Sequence, residues 1–560
     1  MAARSWWDRL LPSWPLVVAL LVLARALAQP GALLHDPDTY LHIAAGRWML
    51  AHHTLPTRDL FSYTFAGAQW AAPEWLAEIG LAAVYRATGW SGLVLVTVAC
   101  FAVSLGLLTR FLLRSCEPFS ALIAVALGAA MVEPHLLARP HMLALPLLVL
   151  WSGGLLAARD AGTVPPFRLL PIMVAWANLH GSFLFGLGLA CYLGAEAVLS
   201  GPRALEIRRW GLFVALTFAI TLITPNGITG LVEPLRLMAM PALQSSFIEW
   251  RGPDFQQFQP LELWLLGLIA LGLATGIRLP LPRVLLLLAL CHMALAHSRH
   301  ADLLGLAGPL VVAGSFGPQL ALRMRAQPMS AISRAVARLA EPAAPPAVAL
   351  ALGVALAMSL PLLARPIARA DDPATPASAL AAAARLGLSG HLFNSEGFGG
   401  YLVYRGIPTF IDGRIEMFGN AFLARYLDAV NGNEHSLRDL LDGWDVRWTL
   451  LTPNQPAVGL LDHLSGWRRV YTDARAVIHL RDSQPAGGPP RGSPAGQPRS
   501  NLAAAESVDL GVFRKTSELF FGKGELAVDG DFEHTARPFN ELDLGAVLFF
   551  ESRPRTEGSG

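Results

Sequence analysis

PLVVALLVLARALA, residues 15–28, is followed by HDPDTYLHIAAGRW, residues 35–48. The first stretch is apolar enough to enter a lipid bilayer. The second begins with two carboxylates two residues apart, Asp36 and Asp38. Ionisable residues in or next to membrane segments are functional candidates by default. Together the two stretches predict a membrane protein with a polar site at the bilayer surface.

The composition of the whole chain agrees with a membrane protein. Of its 560 residues, 53% are hydrophobic and 15% are charged, and the mean hydropathy is +0.44. Soluble domains have about 25% charged residues, so most of this chain must be solvated by lipid. The net charge of +2 argues against nucleic acid as a partner held by bulk electrostatics. None of the four cysteines has the spacing of a zinc site or a disulfide framework.

About eleven apolar segments are candidate spanning helices, since a spanning helix needs roughly 20 mostly apolar residues. They are centred near residues 19, 101, 127, 149, 174, 190, 217, 269, 289, 309 and 354, and those near 174 and 190 are close enough to form one broken hairpin. Arginines are concentrated in alternate loops, which are therefore predicted to be cytoplasmic. We expect a multi-pass protein of the bacterial cytoplasmic (inner) membrane, with the N-terminus inside and the chain after about residue 366 outside. These arginines are Arg4, Arg9, Arg110, Arg114, Arg159, Arg168, Arg203, Arg208, Arg209, Arg278, Arg283, Arg323, Arg325, Arg334 and Arg338.

Composition also divides the chain into regions. Residues 1–366 are predicted to form the α-helical polytopic transmembrane domain, with a first external loop at 35–90 and a partly helical external loop at 225–260. Residues 367–482 alternate helical and strand-like stretches, which is typical of a small extracytoplasmic α/β domain. Its strand candidates are HLFNS, TFIDGR, VRWTLLTP, WRRVYTD and AVIHLR. Residues 483–500 have the composition of a disordered linker, and residues 501–560 form an acidic tail of unassigned fold.

The N-terminus permits two interpretations. MAARSWWDR is basic, PLVVALLVLA is apolar, and Ala-Leu-Ala before Gln29 resembles a cleavage site, which is a signal-peptide pattern with cleavage after Ala28. The alternative is an uncleaved spanning helix over about residues 8–28, with Arg25 snorkelling at its outer end. The eleven-helix topology uses the second interpretation.

The first external loop contains most of the candidate catalytic groups. Asp36 and Asp38 open the loop, His42 follows one helical turn later, and Asp59 and Glu74 lie further along. A carboxylate at headgroup depth has a low local dielectric around it. It can act as a general base or hold a divalent cation, Mg²⁺ or Mn²⁺, that offsets a phosphate. The alternative is structural, because Asp36-Pro37 and Asp38-Thr39 can cap the following helix.

Other polar residues are predicted to lie on the same side of the membrane. His180, Arg299 and His300 fall at external helix ends, and Arg139 lies in an external turn. Guanidinium groups bind phosphate with paired donors, so Arg139 and Arg299 suit a lipid-linked phosphate or pyrophosphate. Each of these side chains can instead be an ordinary interfacial residue that snorkels.

In the predicted α/β domain, four polar residues follow candidate strands. They are Asn394, Glu396, Asp412 and Arg414, and ligands often bind at the carboxyl ends of strands in such domains. Acceptor binding and a structural role stay open here, since Asp412 can also pair with Arg414. No G-x-G-x-x-G is present, so a dinucleotide site is not indicated.

The order of these features resembles the GT-C class of membrane glycosyltransferases. The resemblance is carried by HDPDTYLHIAAGRWMLAHHTLPTRDLFSYT, residues 35–64, followed by many spans and an external α/β domain. Glu74-Trp75-Leu76 stands where many members have Pro-Pro-Leu. Further segments are similar to a largely uncharacterised bacterial multispan family, so that the resemblance covers about residues 5–480. These segments are LARPHML, AWANLHGSF, LITPNG, EWRGPDF, SRHAD, FNSEGFGGYLVYR and FIDGRIEMFG.

The resemblance implies an enzyme that moves a sugar from a polyprenyl-phosphate-linked donor to an envelope glycan, lipid or protein. An acid of the first external loop would be the base, which makes Asp36 and Asp38 the catalytic candidates. The candidate substrate-binding residues are His42, Asp59, Glu74, Arg139, His180, Arg299 and His300. Two other functions stay open: a transporter or flippase for lipid-linked glycans, although no inverted repeat is evident, and a non-catalytic scaffold for envelope assembly.

Overall fold

The computed structural model describes residues 9–200, 204–324 and 331–482. The chain divides into two units, residues 1–487 and 488–560, and the second lies outside the described residues. The predicted linker and acidic tail, together with Arg4, Arg203 and Arg325, also lie outside them. The predicted domain boundary near residue 366 and the fate of the signal-like N-terminus stay predictions.

The membrane part consists of helices. Every apolar segment predicted to span the bilayer has its centre inside one of them, and the predicted broken hairpin is the pair α6 and α7, interrupted at His180. The helices are α1 (Trp14–Leu27), α2 (Asp38–His52), α3 (Trp75–Leu112), α4 (Pro118–Val132), α5 (Pro140–Asp160), α6 (Leu170–Leu179), α7 (Phe183–Leu199), α8 (Ala204–Thr221), α9 (Gly227–Met238), α10 (Pro241–Ser246), α11 (Pro260–Thr275), α12 (Leu281–Ala296), α13 (Ala301–Met324), α14 (Ala331–Arg338) and α15 (Pro345–Ala364).

Helix length and hydropathy make this a multi-pass membrane protein. Among the described residues, five helical segments are long and apolar enough to cross a bilayer. They are Trp75–Leu112, Pro118–His135, Pro140–Asp160, Ser298–Arg323 and Pro345–Ala364. Further helices, α1, α7, α11 and α12 among them, are apolar but shorter. The count of eleven spans and the sidedness of the termini therefore stay predictions.

The predicted first external loop, residues 35–90, contains α2, which lies directly against α3. A Cβ atom at Gly46 of α2 would lie 2.0 Å from the carbonyl oxygen of Glu78 in α3, so only glycine permits this approach. Helix α3 is itself kinked at Gly89, whose φ of 64° is in the left-handed region. The close contact places the polar face of α2 beside the start of α3.

The α/β part has a four-stranded sheet between residues 391 and 481. Its elements are α16 (Ala377–Arg385), β1 (His391–Asn394), α17 (Glu396–Tyr404), α18 (Ile415–Val430), α19 (Glu434–Gly443), β2 (Val446–Leu451), α20 (Pro456–His463), β3 (Trp467–Thr472) and β4 (Val477–Arg481). The strand order is β1-β2-β4-β3. Strands β1 and β2 are parallel, and the other pairs are antiparallel. Helix α17 packs against α2, which brings this part to the first external loop.

One strand prediction was wrong: TFIDGR, residues 409–414, is a loop. Its backbone pairs with the first external loop, since Thr409 N–H donates to the Phe61 carbonyl at 3.0 Å and Tyr63 N–H donates to the Thr409 carbonyl at 3.1 Å. The Asn394 side chain accepts from Phe410 N–H at 2.9 Å. These partners satisfy the backbone groups that a neighbouring strand would otherwise satisfy.

Candidate active site

Arg139 lies at the centre of the candidate site, where it binds three carboxylates. Its guanidinium lies 3.1 Å from Asp36 Oδ2, 2.8 Å from Asp38 Oδ2 and 3.0 Å from Glu249 Oε1. Burial lowers the pKa of Arg139, but the surrounding acids outweigh burial and hold the pKa well above its usual value. Glu249 was not among the residues predicted from the sequence. The available signal was its place in EWRGPDF, one of the segments that carry the family resemblance.

Asp36 and Asp38 have different surroundings. Asp36 Oδ1 accepts from the backbone N–H of Asp38 at 2.8 Å. This hydrogen bond closes a turn at the start of α2, a structural role similar to the helix cap that the sequence allowed for Asp36. Burial raises the pKa of Asp38 to about 6, in spite of the opposing charge of Arg139. A carboxylate with a pKa near the working pH is a suitable general base. Asp38 is therefore the stronger candidate of the two.

His42, Glu74, Glu78 and His180 form a second polar group beside this centre. The His42 ring lies 3.2 Å from Glu78 Oε1 and 3.8 Å from Glu74 Oε2, and His180 Nε2 lies 3.4 Å from Glu74 Oε1. Burial lowers the pKa of His42, but its bond with Glu78 and the nearby acids raise that pKa to about 8. Burial raises the pKa of Glu74 to about 7 and lowers the pKa of His180 well below its usual value. At neutral pH His42 is thus cationic and His180 neutral.

Arg299 has no carboxylate partner in the part of the chain that the structure describes. Its guanidinium stacks over the Trp250 ring at 4.5 Å, and no described residue forms an ion pair with it within 4 Å. The turn at residues 298–300 is tied to the external loop, because Ser298 N–H donates to the Arg251 carbonyl at 2.8 Å. Within the described ranges, His300 Nδ1 is buried and has no hydrogen-bond partner. An incoming anion can therefore bind Arg299, whereas Arg139 is already neutralised.

Three predicted site residues instead form a buried ionic group that joins the first loop to the α/β part. Arg414 Nη1 lies 2.5 Å from Asp59 Oδ1, and Arg414 Nη2 lies 2.7 Å from Asp412 Oδ2. The three side chains are at most 3% exposed. Asn394 is also buried, and its amide donates to the Ile411 carbonyl at 2.8 Å. These four residues have protein partners, and the substrate- and acceptor-binding roles predicted for them stay predictions.

Glu396, the first residue of α17, approaches the Asp36–Asp38 pair from the α/β part. Its backbone N–H donates to the Tyr426 hydroxyl at 2.8 Å. Burial, together with the charges of Asp38 and Asp36, raises the pKa of Glu396 to about 8. The carboxyl group is therefore mainly protonated at neutral pH and can donate a hydrogen bond.

An open, mostly apolar groove begins beside Glu74. It has a volume of about 500 Å³ and lies between the start of α3, the end of α6 and the end of α8. Trp75 forms one wall, held by its indole N–H, which donates to Asn178 Oδ1 at 2.9 Å. Trp75 places the groove next to Glu74 in the sequence. Its lining residues include Trp75, Leu76, Val174, Leu222, Ile223 and Pro225.

A divalent cation between Asp36 and Asp38 would compete with Arg139. Carboxylate oxygens suit Mg²⁺ and Mn²⁺, but both carboxylates already bond to the same guanidinium. Among residues 9–200, 204–324 and 331–482, no group of three or more His, Cys, Asp or Glu is arranged to hold a metal ion. The residues present fit a divalent cation poorly, and the cation stays a prediction.

Comparison with known proteins finds similarity of fold but no match in sequence. No protein-family model matches the chain, and no curated protein matches it. The fold is similar to that of the apo oligosaccharyltransferase of Archaeoglobus fulgidus, with a TM-score of 0.44, 10% identity, and 80% of this chain and 70% of that chain covered. It is also similar to ArnT from Cupriavidus metallidurans bound to undecaprenyl phosphate, with a TM-score of 0.42, 18% identity, and coverage of 83% and 97%.

The apo state of the same ArnT gives a TM-score of 0.43 at 18% identity, with 82% of this chain and 97% of that chain covered. Both proteins are GT-C glycosyltransferases, the class that the sequence resembles.

Proposed function

We propose that this protein is a membrane glycosyltransferase that moves a sugar from a polyprenyl-phosphate-linked donor to an acceptor of the cell envelope. The reaction takes place at the extracytoplasmic surface of the bacterial inner membrane. The observation that carries the proposal is a half-buried carboxylate, Asp38, in one ionic centre with Arg299, a guanidinium that has no carboxylate partner among the described residues. The two are linked through Arg139, Glu249 and the adjoining Trp250.

The roles follow from the charges. Asp38 accepts the proton of the acceptor hydroxyl, whose oxygen forms a bond to the anomeric carbon of the sugar. The bond between that carbon and the phosphate oxygen breaks, and polyprenyl phosphate leaves with the electron pair. Arg299 stabilises the charge that develops on the phosphate, which is an electrostatic role in a partly dry site. The apolar groove beside Glu74 suits the polyprenyl chain of the donor.

The proposal is tested by mass spectrometry of lipid-linked and envelope glycans in cells with and without the gene. We expect the deletion to accumulate one lipid-linked sugar and to lose one envelope glycan, and expression of the wild-type chain to restore both. Unchanged glycans in the deletion would overturn the proposal. A change in the side of the membrane on which a lipid-linked glycan is found, without loss of transfer, would instead indicate a flippase.

Replacing Arg299 with Met is expected to lower transfer by about 10²–10³-fold, which is the usual cost of losing one stabiliser of developing negative charge. Arg299→Lys should recover only part of the rate, since an ammonium group lacks the planar paired donors. The measurement is the rate of product formation in isolated membranes that contain donor and acceptor. Arg251→Met is the control, because Arg251 lies on the neighbouring loop and bonds an exposed carbonyl, that of Ser245. Wild-type transfer by Arg299→Met would exclude the phosphate role.

The pH dependence of transfer is expected to follow Asp38. Since burial raises its pKa to about 6 and the base must be ionised, the rate should rise as pH increases through about 6. The positive charge of His42 lowers this pKa, so His42→Gln should move the rise to higher pH. The ionisable groups around Asp38 are Asp36, His42, Arg139, Glu249 and Glu396. A rate independent of pH between 5 and 7 would contradict Asp38 as the base.

A further inference from the structure

Two glycines of the α/β part touch the segment that carries the paired acids. A Cβ atom at Gly413 would lie 2.2 Å from Asp38 Oδ1, and one at Gly400 would lie 2.1 Å from the Pro37 carbonyl oxygen. Real Cβ atoms do not approach oxygen so closely, because van der Waals contact begins more than 3 Å away. The two glycines belong to different elements, the 409–414 loop and α17.

Gly399, the residue before Gly400 in α17, has a packing role of its own. A Cβ atom at Gly399 would lie 2.5 Å from Asp412 Cα, so Gly399 packs α17 against the 409–414 loop. Gly400 then faces the other way, toward α2. Around this contact the Tyr40 ring of α2 lies 5.0 Å from the Tyr401 ring and 5.2 Å from the Tyr404 ring. The interface between α17 and the α2 segment thus has glycines at its closest contacts and tyrosine rings around them.

The contacts enclose Asp38 between two fixed neighbours. Its Oδ2 lies 2.8 Å from Arg139 Nη2, and its Oδ1 faces the backbone of Gly413. Gly413 is in turn flanked by Asp412 and Arg414, which belong to the buried ionic group with Asp59. The α/β part therefore leaves the Asp38 carboxylate little room to move.

We propose that Gly413 and Gly400 are positioning residues that seat the Asp38 carboxylate, so that the α/β part forms one wall of the active site. This inference rests on the proposed function, because it assigns the position of the base in that reaction. Its physical basis is that proton abstraction needs the base within hydrogen-bond reach of the hydroxyl. A misplacement of about 1 Å can cost about 10²-fold in rate.

The experiment compares three glycine-to-alanine variants of the full chain in membranes. Gly413→Ala and Gly400→Ala each place a methyl group in the interface with α2. Gly397→Ala is the matched control, since it lies in α17 and a Cβ atom there has nothing within 4 Å. None of the three glycines has φ in the left-handed region, so alanine adds no backbone strain.

We expect kcat per folded protein to fall about 100-fold in Gly413→Ala and substantially in Gly400→Ala, with KM for the donor nearly unchanged. The pH at which the rate rises should also move away from the wild-type value, because Asp38 shifts relative to Arg139, Asp36, His42, Glu249 and Glu396. Gly397→Ala should match the wild type in both measurements. A merely structural contact would not change the pH profile of the folded fraction.

Two results would overturn the inference. One is wild-type kcat and pH profile in Gly413→Ala while Asp38→Asn is inactive, which would leave the proposed function intact. The other is a loss of activity that only follows the loss of folded protein in both variants, measured by thermal unfolding in detergent. Failure of the proposed function is recognised separately, since the deletion would then leave the lipid-linked and envelope glycans unchanged.

Discussion

Replacement of Asp38 by Asn is expected to abolish sugar transfer while the protein stays in the membrane. Loss of a general base lowers rates by about 10²–10⁴-fold, and asparagine has nearly the same size and shape. Arg139 keeps Asp36 and Glu249 as partners, at 3.1 and 3.0 Å. The ionic centre is therefore not left with an unpaired buried cation, and folding should be preserved.

The measurement is a comparison of lipid-linked and envelope glycans at equal protein level in cells with the wild type, the deletion and Asp38→Asn. The variant should match the deletion, with donor accumulating and one glycan lost. Asp254→Asn is a matched control, because Asp254 is exposed and accepts from the backbone N–H two residues on, as Asp36 does. If Asp38→Asn matches the wild type while the deletion changes the envelope, the paired acids are structural and the protein transports or scaffolds.

The second large effect is expected on stability, from Arg414→Met. This change leaves the carboxylates of Asp59 and Asp412 buried and without their cation, and both side chains are 0% exposed. Removing one partner of a buried ion pair costs about 3–5 kcal/mol. Asp59 lies in the first external loop and Asp412 in the α/β part. We therefore expect the loop to separate from the α/β part, and sugar transfer to be lost as a result.

Thermal unfolding in detergent and limited proteolysis near residues 53–74 measure this effect. Arg438→Met is the control, since Arg438 forms an exposed pair with Glu434 at 2.7 Å on α19, and such pairs contribute about 0.3–0.5 kcal/mol. Equal stability of the two variants would show that the buried ionic group does not hold the loop to the α/β part.

Local sequence was sufficient for most of the helices and strands. The length of an apolar segment is a property of consecutive residues, so the helical segments and the break at His180 could be predicted from the sequence. HLFNS, VRWTLLTP, WRRVYTD and AVIHLR became strands for the same reason. TFIDGR did not, because its hydrogen-bond partners, Phe61 and Asn394, come from distant parts of the chain.

For the site, the sequence by itself determined that paired carboxylates, histidines and arginines would lie at one end of the membrane helices. Only the tertiary structure decided which of these charged groups form ion pairs with one another. It placed Arg139 against three acids and gave Arg299 none among the described residues. It also placed Asp59, Asp412 and Arg414 in a buried ionic group. The physical reason is that ion pairs and burial depend on side chains far apart in sequence, such as Asp36 and Arg139. Packing of the helices and the α/β part, rather than any local pattern, brings those side chains together.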